Sequence, residues 1–168
     1  MFDEIIALNK KNPDLDGIRF EVMDIRALSG TRAYDIVVQN AVMGRFNDEK
    51  FVMAVGSLSK KVKQRGWFFA FDWYHPFEQQ LSIIEKSKEH PEGLELHYRS
   101  FSSVRLLLQQ HGFGNVEFYH FAIPIDLEKP EHPEDIRTYT IQATTGERLN
   151  FRGTLFQPWC HLRAQKTG

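Results

Sequence analysis

Three short apolar runs each end in residues that can do chemistry. Asp24 and Ile25 follow the alternating run Ile18 to Met23; Gln39, Asn40 and Ala41 follow Ile36-Val37-Val38; Asp72, Tyr74 and His75 follow Trp67 to Phe71. In open α/β sheets ligands bind beyond the carboxyl ends of the strands, so these are the positions at which a site would form. His75 offers an imidazole that can take a proton from a bound acceptor, and its plainer role is a polar loop residue beside Pro76. Asp72 offers a carboxylate to the same chemistry, or else caps the turn that follows the strand. Phe156 and Trp159, with Trp73 and Tyr74, would either wall an acceptor with aromatic surface or pack as ordinary core. The 7 histidines include no pair at the helical i, i+4 spacing and no patterned carboxylates beside them, so no metal site is expected.

These residues need a scaffold, and the composition allows one. At 168 residues with 42% apolar and 13% aromatic content, the chain can fill the core of a single domain. Its 21 Lys+Arg and 22 Asp+Glu leave a net charge of -1 with neither sign massed, which argues against a nucleic-acid partner. Cys160 stands alone, excluding an internal disulfide and a cysteine-built zinc site and fitting a reducing cytoplasm. The first residues carry Asp3 and Glu4 where a signal peptide would be basic, and no apolar run approaches the ~18 residues of a membrane span, so no membrane association is expected.

The pattern predicts an opening helix through Phe2, Ile5, Ile6 and Leu8, ended by Asn12-Pro13. A turn over 15–17 then leads to a strand over 18–23, and a second strand, over Tyr34 to Asn40, contains the short continuous apolar run Ile36-Val37-Val38. Asn47 is placed to cap a helix bearing Phe51, Val55, Leu58 and Val62, with Gly66 to stop it and Trp67 to Phe71 as the next strand. Leu81, Ile84 and Glu85 suggest a helix in the connection 76–96. Ser102 or Ser103 would cap a helix carrying Val104, Leu107 and Leu108, which ends at Gly112. Val116 to Ile123 reads as a strand, Tyr139 to Ile141 and Leu149 to Phe151 as a hairpin about Thr145-Gly146, and Cys160 to Ala164 as a closing strand. The order begins as alternating α/β and finishes antiparallel.

Within that order, Phe20-Glu21-Val22-Met23-Asp24-Ile25, Tyr34 to Val42, Gly66 to Asp72 and Gly112-Phe113 resemble four successive motifs of the class I S-adenosylmethionine-dependent methyltransferases. The resemblance implies a Rossmann-like α/β fold whose sheet is mostly parallel with an antiparallel C-terminal hairpin. It also implies S-adenosylmethionine as cofactor and a small-molecule substrate. In its terms Asp24 accepts a hydrogen bond from the adenine amino group, Ile25 packs near the adenine ring, and Gln39, Asn40 and Ala41 line the methionine part. Gly44-Arg45 falls where many relatives carry aromatic or histidine residues over the active site, so Arg45 would meet an anionic substrate or stand solvated before the Asn47 cap.

The departure from the family is at the N-terminus. No strand with a Gly-x-Gly-x-Gly loop precedes these motifs, and Gly112-Phe113-Gly114 follows a helix, where a left-handed cap and turn is the expected role. The reading is therefore one methyltransferase-like domain over 1–168, N-terminally truncated or rearranged, lacking the family's first two strands and carrying a hairpin insertion at 138–158. Without those strands a gap opens between Ile18–Met23 and Tyr34–Val38. The third and fourth strands would pair directly, another chain would fill the gap, or the chain belongs to a longer product; an exposed edge favours a homodimer. The leading expectation is a small-molecule methyltransferase. The alternative is a non-catalytic remnant serving as an interaction module, and a different nucleotide-dependent α/β enzyme ranks last for want of a phosphate loop.

Overall fold

The computed structural model describes residues 2–12, 14 and 16–168. Helix α1 (Phe2–Lys10) opens the chain, and a 3-10 turn (Ile25–Ala27) precedes strand β1 (Tyr34–Asn40). A second 3-10 turn (Met43–Arg45) leads into α2 (Asp48–Ser59), capped by the Asn47 side chain, which accepts from the Lys50 N–H as its sequence position predicts. Strand β2 (Val62–His75) is the spine of the molecule. It is followed by the hairpin of β3 (Leu81–Glu85) and β4 (Leu94–Ser100), helix α3 (Phe101–Gln110) and β5 (Phe113–His120). Strands β6 (Thr138–Gln142), β7 (Arg148–Arg152) and β8 (Leu155–Phe156) form a small antiparallel sheet before β9 (Trp159–Lys166) returns to the main one.

The main sheet has six strands. Its pairings β1–β2 and β2–β4 are parallel, while β2–β9, β5–β9 and β3–β4 are antiparallel. The Rossmann-like α/β expectation is met, with a sheet that is mixed rather than mostly parallel because β9 inserts between β2 and β5 and β3 folds back on β4. β1 pairs with Trp67 to Phe71 and β4 with Tyr74 and His75, so two parallel strands share the length of β2.

The alternation of β2 sorts its side chains between two layers. Phe68, Ala70 and Tyr74 face α2 and α3 in a core completed by Leu58, Val104, Leu108 and Leu162. Phe71 and Trp73 point the other way: Phe71 stacks on Trp159 at 4.6 Å, and Trp73 joins Leu96, Tyr98 and Leu155 in a second cluster under the small sheet.

Four expectations change. Residues 18–23 form no strand, and Ile18, Val22 and Met23 lie exposed, since an isolated extended segment has no neighbour to take its backbone hydrogen bonds. The segment 81–85 is a strand, not a helix, because pairing from Leu81↔Tyr98 to Glu85↔Leu94 satisfies its backbone across the hairpin. Gly66 does not stop α2, which ends at Ser59; it sits inside β2 next to Arg65 at φ 63, where an added Cβ would come within 2.9 Å of the Asp35 and Lys63 carbonyls. Ser100, not Ser102 or Ser103, caps α3, its hydroxyl accepting from the Ser103 N–H. The expected turn at 15–17 and the proline stop at 13 fall partly outside the described residues; α1 itself ends at Lys10. No helix among the described residues is long and apolar enough to cross a membrane.

Among the described residues β1 has a strand partner on one edge only. That partner is β2, and Ile36 and Val38 on the outer face of β1 are 60% and 69% exposed, next to an exposed Tyr34.

Candidate functional site

The loop leaving β1 is held by two buried charges from different strands. Asp72, 2% exposed at the end of β2, accepts from the Gly44 N–H (2.9 Å), from its neighbour Trp73 N–H (3.0 Å) and from the Gln39 side-chain amide (3.3 Å). Arg99 on β4 donates to the carbonyls of Met43 (3.3 Å) and Phe46 (2.5 Å) and to Asp48 (3.2 Å), with its guanidinium 4.0 Å from the centre of the Phe51 ring. Burial raises the Asp72 pKa, opposed by the Gly44, Trp73 and Gln39 hydrogen bonds and by the Arg99 charge. Gly44 is required sterically: a Cβ there would overlap Asp72 Oδ1 and come within 2.6 Å of Trp73 Cε3. Segment 40–46 is therefore fixed in place by three strands before any ligand arrives.

Just past the Asp72 lock, the end of β2 opens on a recess of about 220 Å³ walled by Phe77, Leu81, Leu155, Phe156 and Pro158. His75 and Tyr98 line it as well. They are 6% and 3% exposed, and neither ring nitrogen of His75 nor the Tyr98 hydroxyl has a hydrogen-bond partner among the described residues. Buried polar groups are normally paired, so two unpaired ones on one small cavity mark a place for a polar ligand. Burial holds the Tyr98 phenol well above its usual range, which keeps it protonated and able to donate.

The other predicted positions distribute as follows. Phe156 lines the recess. Trp73 and Trp159 pair across β2 and β9 with rings 5.1 Å apart and form its inner support. Tyr74 turns to the helix side, where its ring meets Phe118 at 5.7 Å and its hydroxyl is buried without a partner among the described residues. Arg45 lies over the Trp73 ring at 5.2 Å; partial burial and then the like charge of Arg152 lower its pKa, with Glu85 and Asp72 opposing. Gln39 is buried with its Oε1 unpaired among the described residues, while Asn40 and Ala41 are exposed, Ala41 at φ 52 and donating its N–H to Phe71 O.

Asp24 and Ile25 sit apart from these. Asp24 lines a polar recess with Phe20, Val22 and Lys10, of which Gln39, Asn40 and Ala41 form no wall. Both its oxygens are taken by Arg26, which holds its pKa down to about 2. Ile25 is half-buried against the main core.

Tyr98 and Arg99, which line the recess and hold the loop, are positions that sequence reading missed. Their signal is the alternation Leu94-Glu95-Leu96-His97-Tyr98, which marks a strand whose end delivers one residue to each face.

No family model matches the chain, and no curated protein matches it by sequence. Solved structures match by fold. A Burkholderia thailandensis 1,6-didemethyltoxoflavin-N1-methyltransferase, crystallised with its namesake compound and S-adenosylhomocysteine, superposes with a TM-score of 0.60 at 12% identity. The match covers 98% of this chain, and this chain spans 57% of that one. A methyltransferase of Methanosarcina mazei gives 0.61 at 15% identity over 98% of this chain and 78% of the other. A glycopeptide N-methyltransferase complexed with S-adenosylhomocysteine gives 0.54 at 12% identity, over 95% and 67%. The fold is that of the S-adenosylmethionine-dependent methyltransferases.

Proposed function

We propose that this chain works in an S-adenosylmethionine-dependent methyl transfer to a small-molecule acceptor, and that the acceptor's reacting end occupies the recess beyond β2. The observation that carries the reading is the pair of buried, unpartnered groups His75 and Tyr98 on that recess, beside a loop immobilised by Asp72 and Arg99. Neighbours of the same fold crystallised with S-adenosylhomocysteine support the choice of cofactor.

The residues at the end of β1 fit such a cofactor: the unpaired Gln39 Oε1 is a buried acceptor seeking a donor, and the exposed residues Asn40 and Ala41 follow it directly in the chain. Asp24 and Ile25 are its proposed adenine contacts, and Asp24 must give up part of its Arg26 pairing to serve. When bound, the cofactor supplies the methyl group. His75 takes the proton that the acceptor's nucleophilic atom loses, using a ring nitrogen that no protein group occupies. Tyr98 donates to an oxygen or nitrogen of the same molecule and fixes its angle, while Phe156, Leu155 and Pro158 exclude water. Asp72 acts as a positioning residue for the loop 40–46. Trp73 and Trp159 support the aromatic wall, while Tyr74 packs in the helix-side core on the opposite face of β2.

Calorimetric titration with S-adenosylhomocysteine tests this. Saturable heat is expected, diminished by Gln39→Leu; folded protein that gives no heat at high ligand overturns the catalytic reading.

The exposed apolar face and free edge of β1 favour a second reading, an interaction module that takes a partner strand there. Under it, Ile36→Lys with Val38→Lys would abolish self-association in sedimentation while leaving any cofactor heat unchanged.

A further inference from the structure

A second, larger cleft of about 500 Å³ opens between the β3–β4 hairpin and the small sheet, and no step of the proposed chemistry uses it. It touches the His75 recess: Leu155 walls both. A molecule whose reacting end lies against His75 and that extends past Leu155 would reach this cleft.

The lining of the cleft is apolar over Ile83, Ile136, Tyr139 and Leu155 and charged at its rim. The charges do not balance. Both carboxylates are occupied, Glu85 by a two-pronged pairing with Arg152 at 3.0 to 3.2 Å and Asp135 by Arg137 at 3.2 Å. Lys86 and Lys129 have no carboxylate partner among the described residues, and the Lys129 ammonium rests 5.9 Å from the centre of the Tyr139 ring. Arg45, close enough to feel the Arg152 charge, also lacks a hydrogen-bonded carboxylate among the described residues. The Glu85–Arg152 pair neutralises itself and stiffens the wall between hairpins, so the charges left without a partner on the lining are the two lysines. A hydrocarbon surface of this size binds apolar matter in proportion to the area it covers, and unpaired cations at its rim select for an anion on the same molecule.

We propose that this cleft is the outer acceptor subsite and takes an amphipathic acid, with its apolar body over Ile83, Ile136 and Leu155 and its acidic group facing Lys86 and Lys129. The inference rests on the methyl-transfer reading for the acceptor's identity, and on the cleft alone for its binding.

Calorimetry with 4-phenylbutyrate and its neutral amide, without cofactor, tests it. The acid is expected to bind about tenfold more tightly than the amide at low salt, an advantage that shrinks as salt rises. Lys86→Gln with Lys129→Gln, two exposed positions outside the core, should bring acid and amide to equal affinity with unchanged thermal unfolding. Equal binding of acid and amide to the parent protein, a preference that survives both substitutions, or no binding of either compound would overturn the proposal. Acid binding in a protein that gives no heat with S-adenosylhomocysteine would instead sink methyl transfer and leave an acid-binding cleft; cofactor heat without acid preference would sink only the subsite.

Discussion

Two groups of buried polar side chains lie a few residues apart along the same strands and are treated in opposite ways. Around Asp72 and Arg99 the carboxylate, the guanidinium, the amide N–H groups and the carbonyls close on one another, with only the Gln39 Oε1 of that group left without a partner among the described residues. Three residues further along β2, and one residue earlier on β4, His75 and Tyr98 are as deeply buried and left unpaired. Closed networks hold a backbone still and open ones wait for something, so paired groups here locate a loop and unpaired groups locate a ligand.

Substitutions can break that contrast. The largest loss of stability is expected for Arg99→Met, which strips the Met43 and Phe46 carbonyls of their donor and leaves Asp72 without its compensating charge. A cost of about 3–5 kcal/mol should appear in urea unfolding, and one below about 1 kcal/mol would mean the network is not a lock. Gly44→Ala comes next, at about 1–3 kcal/mol, because the new methyl overlaps Asp72 and Trp73. Asp72→Asn probes the pH dependence. Since burial raises the folded-state pKa of Asp72, its contribution is full at low pH, below the unfolded value, and is lost as pH rises through the raised one. The parent protein should therefore lose stability relative to the variant as pH rises out of the acid range, and parallel pH profiles would contradict the assignment. The smallest change in stability is expected for His75→Phe, within about 1 kcal/mol of the parent, since no protein hydrogen bond is broken. The same variant should lose about 10²-fold or more in methyl transfer. A large loss of stability there would show that His75 is structural after all.

Local patterns were readable from the sequence where one element decides its own shape. The apolar run of β1, the Asn47 cap, the strand core of β2 and the hairpin of β6 and β7 depend on neighbours a few residues away. Reading failed where pairing partners decide. Leu81, Ile84 and Glu85 sit at helical spacing and form a strand because β4 lies alongside, and Ile18 to Met23 alternates like a strand yet has none to join. The site divides in the same way. His75, Phe156 and Asp72 were visible as residues at a strand end or in an aromatic wall, whereas Arg99 acquires its role from carbonyls 53 and 56 residues earlier. No local signal can carry such a contact.

The unbroken run of β2 from Asp72 to His75 also limits how the protein can change. Adjacent side chains there serve opposite layers, so inserting or deleting one residue between them would turn His75 under the helices and shift the recess away from the immobile loop. Loops at the mouth of the two cavities are free to vary in length as new acceptors are acquired, while this four-residue stretch must keep its count, which makes it the natural ruler against which any relative's acceptor site can be measured.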